Sequence, residues 1–482
     1  MRNRLLLAAL IVGAWVALKV IDIVVPWPAI LFLLFVTLVI MIMHSTWLYL
    51  AQFRWRKRLV KQRRVEQRLA RERRAEERAV AAESIVAAES IVAAGGSPLS
   101  STQSGLPSAA TLDSEQDTWE PWVDIFIAAK NESRVIETTV RNFFKLDYQK
   151  FSVWVIDDCS DDAMPEILKE LQGEFHQLNV LTRTPGGRPG KSAALNEALP
   201  LSKGEVIAVF DADAYVEPDF LQKTLPVLQP ENVGAVQAQK RIYIQQKGFL
   251  PDCQASEYAV DTYFQMGRDL IGGAVELRGN GELIKRVALI DVGGWNNLSI
   301  TDDLDLSTRL LVQKWDVRFC PHAHVFEEAV TTIKGLFRQR RRWAEGSIRR
   351  YLDYIFPLNS PTRLSLVDRI DTLAFFSYFA VPGLFLLEMV SDAIALATGG
   401  QTHGRVLLMI AAVVLTISLI NFFIAIRIYR NKTLWAAFIH TFEVNIYVFA
   451  HWMPVVTYSF LRILSGRGAG KWHRTEHGLN NA

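Results

Sequence analysis

Val206-Ile207-Ala208-Val209-Phe210 runs directly into Asp211-Ala212-Asp213. An unbroken apolar pentad reads as a strand buried on both faces, the pattern of parallel sheets. The acids that follow mark its carboxyl end. The same grammar recurs upstream. Val123–Ala128 reads as an apolar strand followed by Ala129-Lys130-Asn131-Glu132, and Phe151–Ile156 as a strand ending in Asp157-Asp158. Asn179–Arg183 reads as a further short strand. Arg134–Phe144, Pro165–Leu171 and Lys191–Leu199 read as the helices between. Strands alternating with helices predict an α/β domain whose parallel sheet is covered on both faces. Ligands of such sheets bind beyond the carboxyl ends of the strands, which is where the acids stand.

Apolar blocks flank this domain. The chain has 482 residues, half of them hydrophobic. Leu5–Val25 and Trp27–Leu50 form one block; Thr372–Ala397, Val406–Ile426 and Leu434–Phe460 form another. Each is close to the roughly 20 residues that cross a bilayer. Arg54–Arg78 is dense in Arg and Lys and follows the second apolar segment. The positive-inside rule places it, and the domain after it, in the cytosol. Arg2 and Arg4 put the N-terminus there too, which predicts a hairpin turned at Pro26-Trp27-Pro28. A second span so soon after the first, with no small-residue cleavage site, argues against a cleaved signal peptide. Five spans place the C-terminus outside, yet Arg462, Arg467, Lys471 and Arg474 argue for inside. An interfacial or re-entrant segment, or a helix broken at Pro382 or Pro454, would restore the parity. Glu388 and Asp392 are costly in lipid, which predicts that they face protein, the interface or a polar path.

A net charge of +3 gives no case for nucleic acid. Cys159, Cys253 and Cys320 are scattered without metal-ligand spacing and read as reduced thiols. Arg54–Ala94 reads as a long charged helix, a solvated spacer on anionic headgroups. It contains a tandem repeat, Ala81-Ala82-Glu83-Ser84-Ile85-Val86 then Ala87-Ala88-Glu89-Ser90-Ile91-Val92, with too few apolar heptads for a coiled coil. Gly95–Asp117 is rich in Ser, Gly and Pro and reads as a flexible linker.

Five motifs can carry chemistry, and each has a plain structural reading beside it. Asp211 and Asp213 can face one hard cation; a solvated loop after a strand reads the same way. Asp157-Asp158 can accept hydrogen bonds from a base or ribose. Lys191 opens a helix after the Gly/Pro-rich Pro185–Gly190, a natural diphosphate site and equally a surface turn. Thr301-Asp302-Asp303-Leu304-Asp305-Leu306 crowds carboxylates, which raises one pKa and can make a general base; helix N-capping would also put acids there. Gln339-Arg340-Arg341-Arg342-Trp343 offers guanidinium groups to a diphosphate and an indole to a sugar, or a basic helix to a membrane surface. Their succession within one α/β domain between apolar blocks is hard to obtain by chance.

That ordered set resembles glycosyltransferase family 2, in the membrane branch that includes cellulose, chitin, hyaluronan and poly-N-acetylglucosamine synthases. The resemblance covers Val123 to Tyr354. It implies an α/β GT-A (Rossmann-like) cytosolic catalytic domain flanked by N-terminal and C-terminal transmembrane helices, an inverting mechanism and a UDP-sugar donor. The division that follows is residues 1–52 as a transmembrane hairpin, 53–118 as charged helix and linker and 119–335 as the GT-A domain. Residues 336–369 are then an amphipathic interface region, and 370–482 the C-terminal transmembrane region and basic tail. By position, the resemblance implies that Ala129, Glu132, Asp157 and Asp158 hold the uridine and that Lys191 lies near the diphosphate. Asp211 and Asp213 would hold Mg²⁺ (or Mn²⁺) and the donor, and Asp303 would be the general base. Gln339, Arg342 and Trp343 would hold the diphosphate and cap the acceptor path, with Arg278, Gly279, Asn280 and Trp343 on the acceptor side.

Four stretches resemble most closely the cyanobacterial branch that glucosylates diacylglycerol. They are Glu276-Leu277-Arg278-Gly279-Asn280-Gly281, Gly293-Gly294-Trp295-Asn296, Ile300–Leu306, and Arg342-Trp343-Ala344-Glu345-Gly346 with Arg350-Tyr351-Leu352-Asp353-Tyr354. Polymer synthases of the family usually carry Thr-Glu-Asp where Thr301-Asp302-Asp303 stands. This closer likeness implies transfer of glucose from UDP-glucose to 1,2-diacylglycerol, or another lipid acceptor, with a β-linkage at a plasma or thylakoid bilayer. The alternative is a processive β-glycan synthase of cellulose or poly-N-acetylglucosamine type, which needs a channel through the spans. A non-catalytic nucleotide receptor is disfavoured, because none of the acidic motifs is missing.

Overall fold

The computed structural model describes residues 31–62, 119–243 and 246–466. Helix α1 is Leu31–Gln62. Then follow β1 (Val123–Ala129), α2 (Ile136–Phe143), β2 (Phe151–Asp157), α3 (Met164–Glu174), β3 (Leu178–Thr182), α4 (Lys191–Ala198) and β4 (Val206–Phe210). Next come β5 (Tyr215–Val216), α5 (Phe220–Leu228), β6 (Val233–Ile242), α6 (Phe249–Leu270), β7 (Glu282–Lys285), α7 (Arg286–Asp291), α8 (Asp302–Val312) and β8 (Asp316–Glu327). Four long helices close the described chain: α9 (Ile333–Leu358), α10 (Leu366–Thr398), α11 (Gly404–Tyr429) and α12 (Leu434–Leu464).

The strands form one eight-stranded sheet in the order β3-β2-β1-β4-β7-β6-β8-β5. The strands β1 to β4 pair in parallel, as the sequence predicts. Every residue of β4 is buried, which is why it reads as a continuous apolar run. Helix α2 covers it with a stripe of buried Ile136, Val140 and Phe143, and the Phe143 ring lies 4.6 Å from that of Phe210. The parallel pairing read from the sequence extends through β4, and beyond it the sheet is mixed. There β7 runs antiparallel to both β4 and β6, and β5 antiparallel to β8. The reversing strand β7 has four residues, too short for a period-2 signal. Register then does the positioning: Ala129 pairs with Asp157 and Ile127 with Phe210, so the carboxyl ends of β1, β2 and β4 lie side by side.

Among the described residues, α1, α10 and α11 are long and apolar enough to cross a membrane. Leu31, Leu34 and Leu38 of α1 pack with Ile410 of α11. The apolar run Leu434–Phe460 also predicted a span, but α12 is not among these three. It buries His440, Asn445, His451 and Ser459 instead, and Val455, Val456 and Ile463 join a core with Ile348 and Leu352 of α9. Neither Pro382 nor Pro454 breaks its helix. Glu388 is buried, with His403 Nδ1 at 3.4 Å and the same ring 3.7 Å from Asp392.

Contacts divide the chain into Met1–Leu48 with Glu120–Ala482, and Tyr49–Trp119. In the second unit the helix runs through Gln62; Tyr49 and Phe53 stack at 6.1 Å and Lys57 lies 4.5 Å over the Phe53 ring. The rest of the expected spacer helix, its repeat and the linker lie outside the described residues. So do Leu5–Val25, the turn at Pro26–Pro28, and Arg467, Lys471 and Arg474.

Candidate active site

The aligned strand ends open onto a cleft of about 550 Å³. Its floor is the turn after β4. Asp211 N–H donates to Asn280 Oδ1 at 3.2 Å, Glu328 N–H to Asp213 Oδ2 at 2.9 Å, and Tyr243 OH to the Asp213 carbonyl at 3.0 Å. Thr139 Oγ1 donates to the Ala212 carbonyl at 2.7 Å. Four tethers from different elements thus hold two carboxylates at the cleft. The Lys191 ammonium lies 2.6 Å from Asp211 Oδ1 and donates to the Gly279 carbonyl at 2.5 Å. Burial opposes its charge, but Asp211, Asp302 and Glu282 outweigh that and hold its pKa above the ordinary lysine value.

The second wall is Arg278-Gly279-Asn280-Gly281. Gly279 and Gly281 have φ of +78° and +70°, so the segment turns twice in the left-handed region. A Cβ on Gly281 would stand 2.6 Å from Val325 Cγ1, and one on Gly279 would stand 3.2 Å from Asp303 Oδ2. The backbone therefore passes as close to Asp303 as a glycine allows. Arg278 is held by Asp261 at 2.7 Å and Glu276 at 2.8 Å.

The acids of Thr301–Leu306 divide the work between them. Asp302 accepts from Ser192 Oγ of α4 at 3.1 Å. Asp305 accepts from Arg309 at 2.7 Å, and from Asn296 and Tyr354 at 3.0 Å each. Asp303 faces the cleft. Burial, then the neighbouring Asp302, pushes its pKa up to about 6. Glu282 lies deeper; burial and Asp303 push it up to about 8. The deeper acid keeps its proton, and Asp303 is the one poised to take one up near neutral pH.

Helix α9 supplies the third wall. Gln339, Arg342 and Trp343 line the cleft. Arg340 between them does not; it is buried against Glu257 at 2.6 Å and its guanidinium lies 4.1 Å from the Trp343 ring centre. Lys240, paired with Glu327 at 2.8 Å, lies 5.9 Å from the same ring. Arg338 and Arg342 make no ion pair with another described side chain, so the cleft that Lys191 lines also presents uncommitted positive charge.

The structure brings together Ala129, Glu132, Asp158, Lys191, Asp211, Asp213, Arg278, Gly279, Asp303, Gln339, Arg342 and Trp343 on one cleft. Two expected residues fall elsewhere. Asp157 is 1% exposed and its Oδ1 accepts from Ser160 N–H at 2.9 Å, shaping the turn instead of lining the cleft. Asn280 is fully buried; its amide bridges Asp211 N–H and Glu327 Oε2 from behind. Asp158 reaches the cleft wall with both oxygens engaged, one by Arg183 and one by Gly190 N–H at 2.9 Å. Arg183, Lys240, Glu282 and Glu327 escaped sequence reading. They are single charged residues in unremarkable surroundings, and only the folded chain gives them partners.

Residues 121–346 match the family described as glycosyltransferase like family 2. The chain is 38% identical over 366 residues to the β-monoglucosyldiacylglycerol synthase of Trichormus variabilis, covering 74% of this chain and 76% of that one. It is 45% identical over 236 residues to the enzyme of the same name from Synechocystis, covering 48% and 49%. Among solved structures, a mannosyltransferase of Pyrobaculum calidifontis in complex with GDP-mannose and Mn²⁺ superposes with a TM-score of 0.53 at 20% identity, covering 73% of this chain and 89% of that one. At that identity the likeness shows the fold, a GT-A-like sheet domain.

Proposed function

We propose that this chain, which belongs to glycosyltransferase family 2, transfers glucose from UDP-glucose to 1,2-diacylglycerol and so makes a β-linked glucolipid. The observation that carries the reading is Asp303, an acid of raised pKa on the wall of a cleft that also presents Lys191 and Arg342. The relatives' names supply the glucolipid.

Glu132 and Asp158 line the end suited to the uridine, and the N-terminus of α4 with Lys191, joined by Arg342, suits the diphosphate. Asp303 takes the proton from the acceptor hydroxyl as its oxygen attacks the anomeric carbon opposite the leaving UDP. One displacement turns an α-linked donor into a β-linked product, so one base suffices. Asp211 already holds a cation, the Lys191 ammonium, so its surroundings fit positive charge. Mg²⁺ or Mn²⁺ on Asp211 and Asp213 would offset the charge building on the diphosphate. Trp343, backed by Arg340, offers an indole face to the sugar or acceptor.

The same reading places the domain in the cytosol. Counting Leu5–Val25 as a fourth crossing with α1, α10 and α11 would return the chain to the side of its basic segments, which supports that side. The test is to supply membranes containing the chain with labelled UDP-glucose. Label extracted into organic solvent supports a lipid acceptor; label retained in an insoluble polymer replaces this reading with a processive synthase.

A further inference from the structure

Lys191 Nζ lies 2.6 Å from Asp211 Oδ1 and 2.5 Å from the Gly279 carbonyl. A divalent cation on the same carboxylate would sit about 2.1 Å from its oxygen. Two cations that close to one oxygen are themselves only a few ångströms apart, where their repulsion is strong in a partly desolvated cleft. The carboxylate can serve one of them well. Lys191 has a second partner within its reach. It is the first residue of α4, and a diphosphate seated on that helix N-terminus would meet the side chain at its root.

We propose that Lys191 is a competing counter-ion for Asp211, excluding a divalent cation until a nucleotide diphosphate draws the ammonium away. This rests on the reading that Asp211 and Asp213 hold a metal, and it adds an order to it. Metal and donor enter together, and the ammonium returns to Asp211 as UDP and metal leave. Lys191 then serves twice, neutralising Asp211 in one arrangement and the diphosphate in the other. Gly279 loses the ammonium from its carbonyl in the same movement, so arrival of the donor is felt on the wall beside Asp303.

The test is Mn²⁺ retention by the full chain in detergent, read from the electron paramagnetic resonance signal of the free ion. The comparison is made with and without UDP, which permits no turnover. The wild type should hold Mn²⁺ at least about tenfold more tightly with UDP than without it. Phosphate oxygens alone would tighten such a site, so the deciding arm is Lys191→Met without UDP. It should bind Mn²⁺ about tenfold more tightly than the wild type, and adding Asp211→Asn should remove that gain. Lys191→Gln should reproduce the gain, and thermal unfolding reports whether each variant is folded. A folded Lys191→Met or Lys191→Gln with wild-type Mn²⁺ affinity overturns the competition, as does wild-type affinity indifferent to UDP. No Mn²⁺ retained by the wild type even with UDP would remove the metal from Asp211 and Asp213 altogether, and the proposal with it.

Discussion

Asp371 on α10 accepts from Arg268 Nε on α6 at 2.8 Å, with all but 1% of the arginine side chain and the whole carboxylate out of water. His44 Nε2 of α1 lies 2.8 Å from the other carboxylate oxygen, and Ala274 N–H donates at 3.0 Å. Arg268 in turn faces Glu276 at 3.5 Å, which pairs with Arg350 at 2.7 Å and with Arg278 at 2.8 Å. A run of buried ion pairs thus leads from α10, which His44 of α1 also contacts, to the cleft wall.

Removing the charge from its centre leaves Arg268 buried without its main counter-ion. Asp371→Asn should destabilise the protein by about 3–5 kcal/mol. Thermal unfolding in detergent measures it. An unchanged melting temperature would show that Glu276 alone suffices for Arg268.

As the proposed base, Asp303 would act only when it has lost its proton, and burial has moved that loss up to about pH 6. Turnover at saturating substrate should therefore fall as pH drops through about 6 and level off above it. Asp303→Asn should lower kcat by about 10²- to 10⁴-fold and leave UDP affinity nearly unchanged. A pH profile that keeps its acidic limb in the residual activity of Asp303→Asn would assign the limb to another group.

Glu282 titrates in the folded protein at about 8, against an ordinary value of 4.5. Between those values the unfolded chain gives up the proton while the folded one keeps it. Stability should decline as pH rises across that window and flatten above it. Glu282→Gln removes this titration while keeping an acceptor for Gly279 N–H. Its melting temperature should gain on the wild type between pH 5 and pH 8; parallel curves would contradict the assignment.

Gly346 lies in the middle of α9 against the residue that precedes α8. A Cβ there would come within 2.6 Å of Thr301 Oγ1 and into the methyl group of the same side chain. Gly346→Ala should cost about 1–3 kcal/mol. It should also lower kcat, because the displaced Thr301 carries Asp302 and Asp303 with it. Wild-type stability and turnover would mean that α9 gives way.

Local signals were readable, long-range partners were not. The apolar runs of β1, β2 and β4 announced the strands almost to the residue, and parallel register then brought their acids together. The strands β6 to β8 pair across long separations, so the reversal of β7 and the charges the three bring, Lys240, Glu282 and Glu327, had no local signature. Asp157 and Asn280 show the limit of reading motifs. Both belong to motifs that reach the cleft, yet Asp157 spends its oxygen on Ser160 N–H and Asn280 holds Asp211 from behind. The sequence of α12 is apolar enough to suggest a span. Its histidines and asparagine only make sense against α6 and α11, where His440 meets Ser256 and Asn445 meets Ser418, each within 2.8 Å.

The central claim is a single displacement that puts glucose on a lipid. The purified chain, given UDP-glucose labelled with ¹³C at the anomeric carbon and 1,2-diacylglycerol, should release a lipid whose one-bond carbon–hydrogen coupling at that carbon is that of a β-glucoside, and Asp303→Asn should not. An α-linked lipid, or label found only in a glucan, would contradict the account.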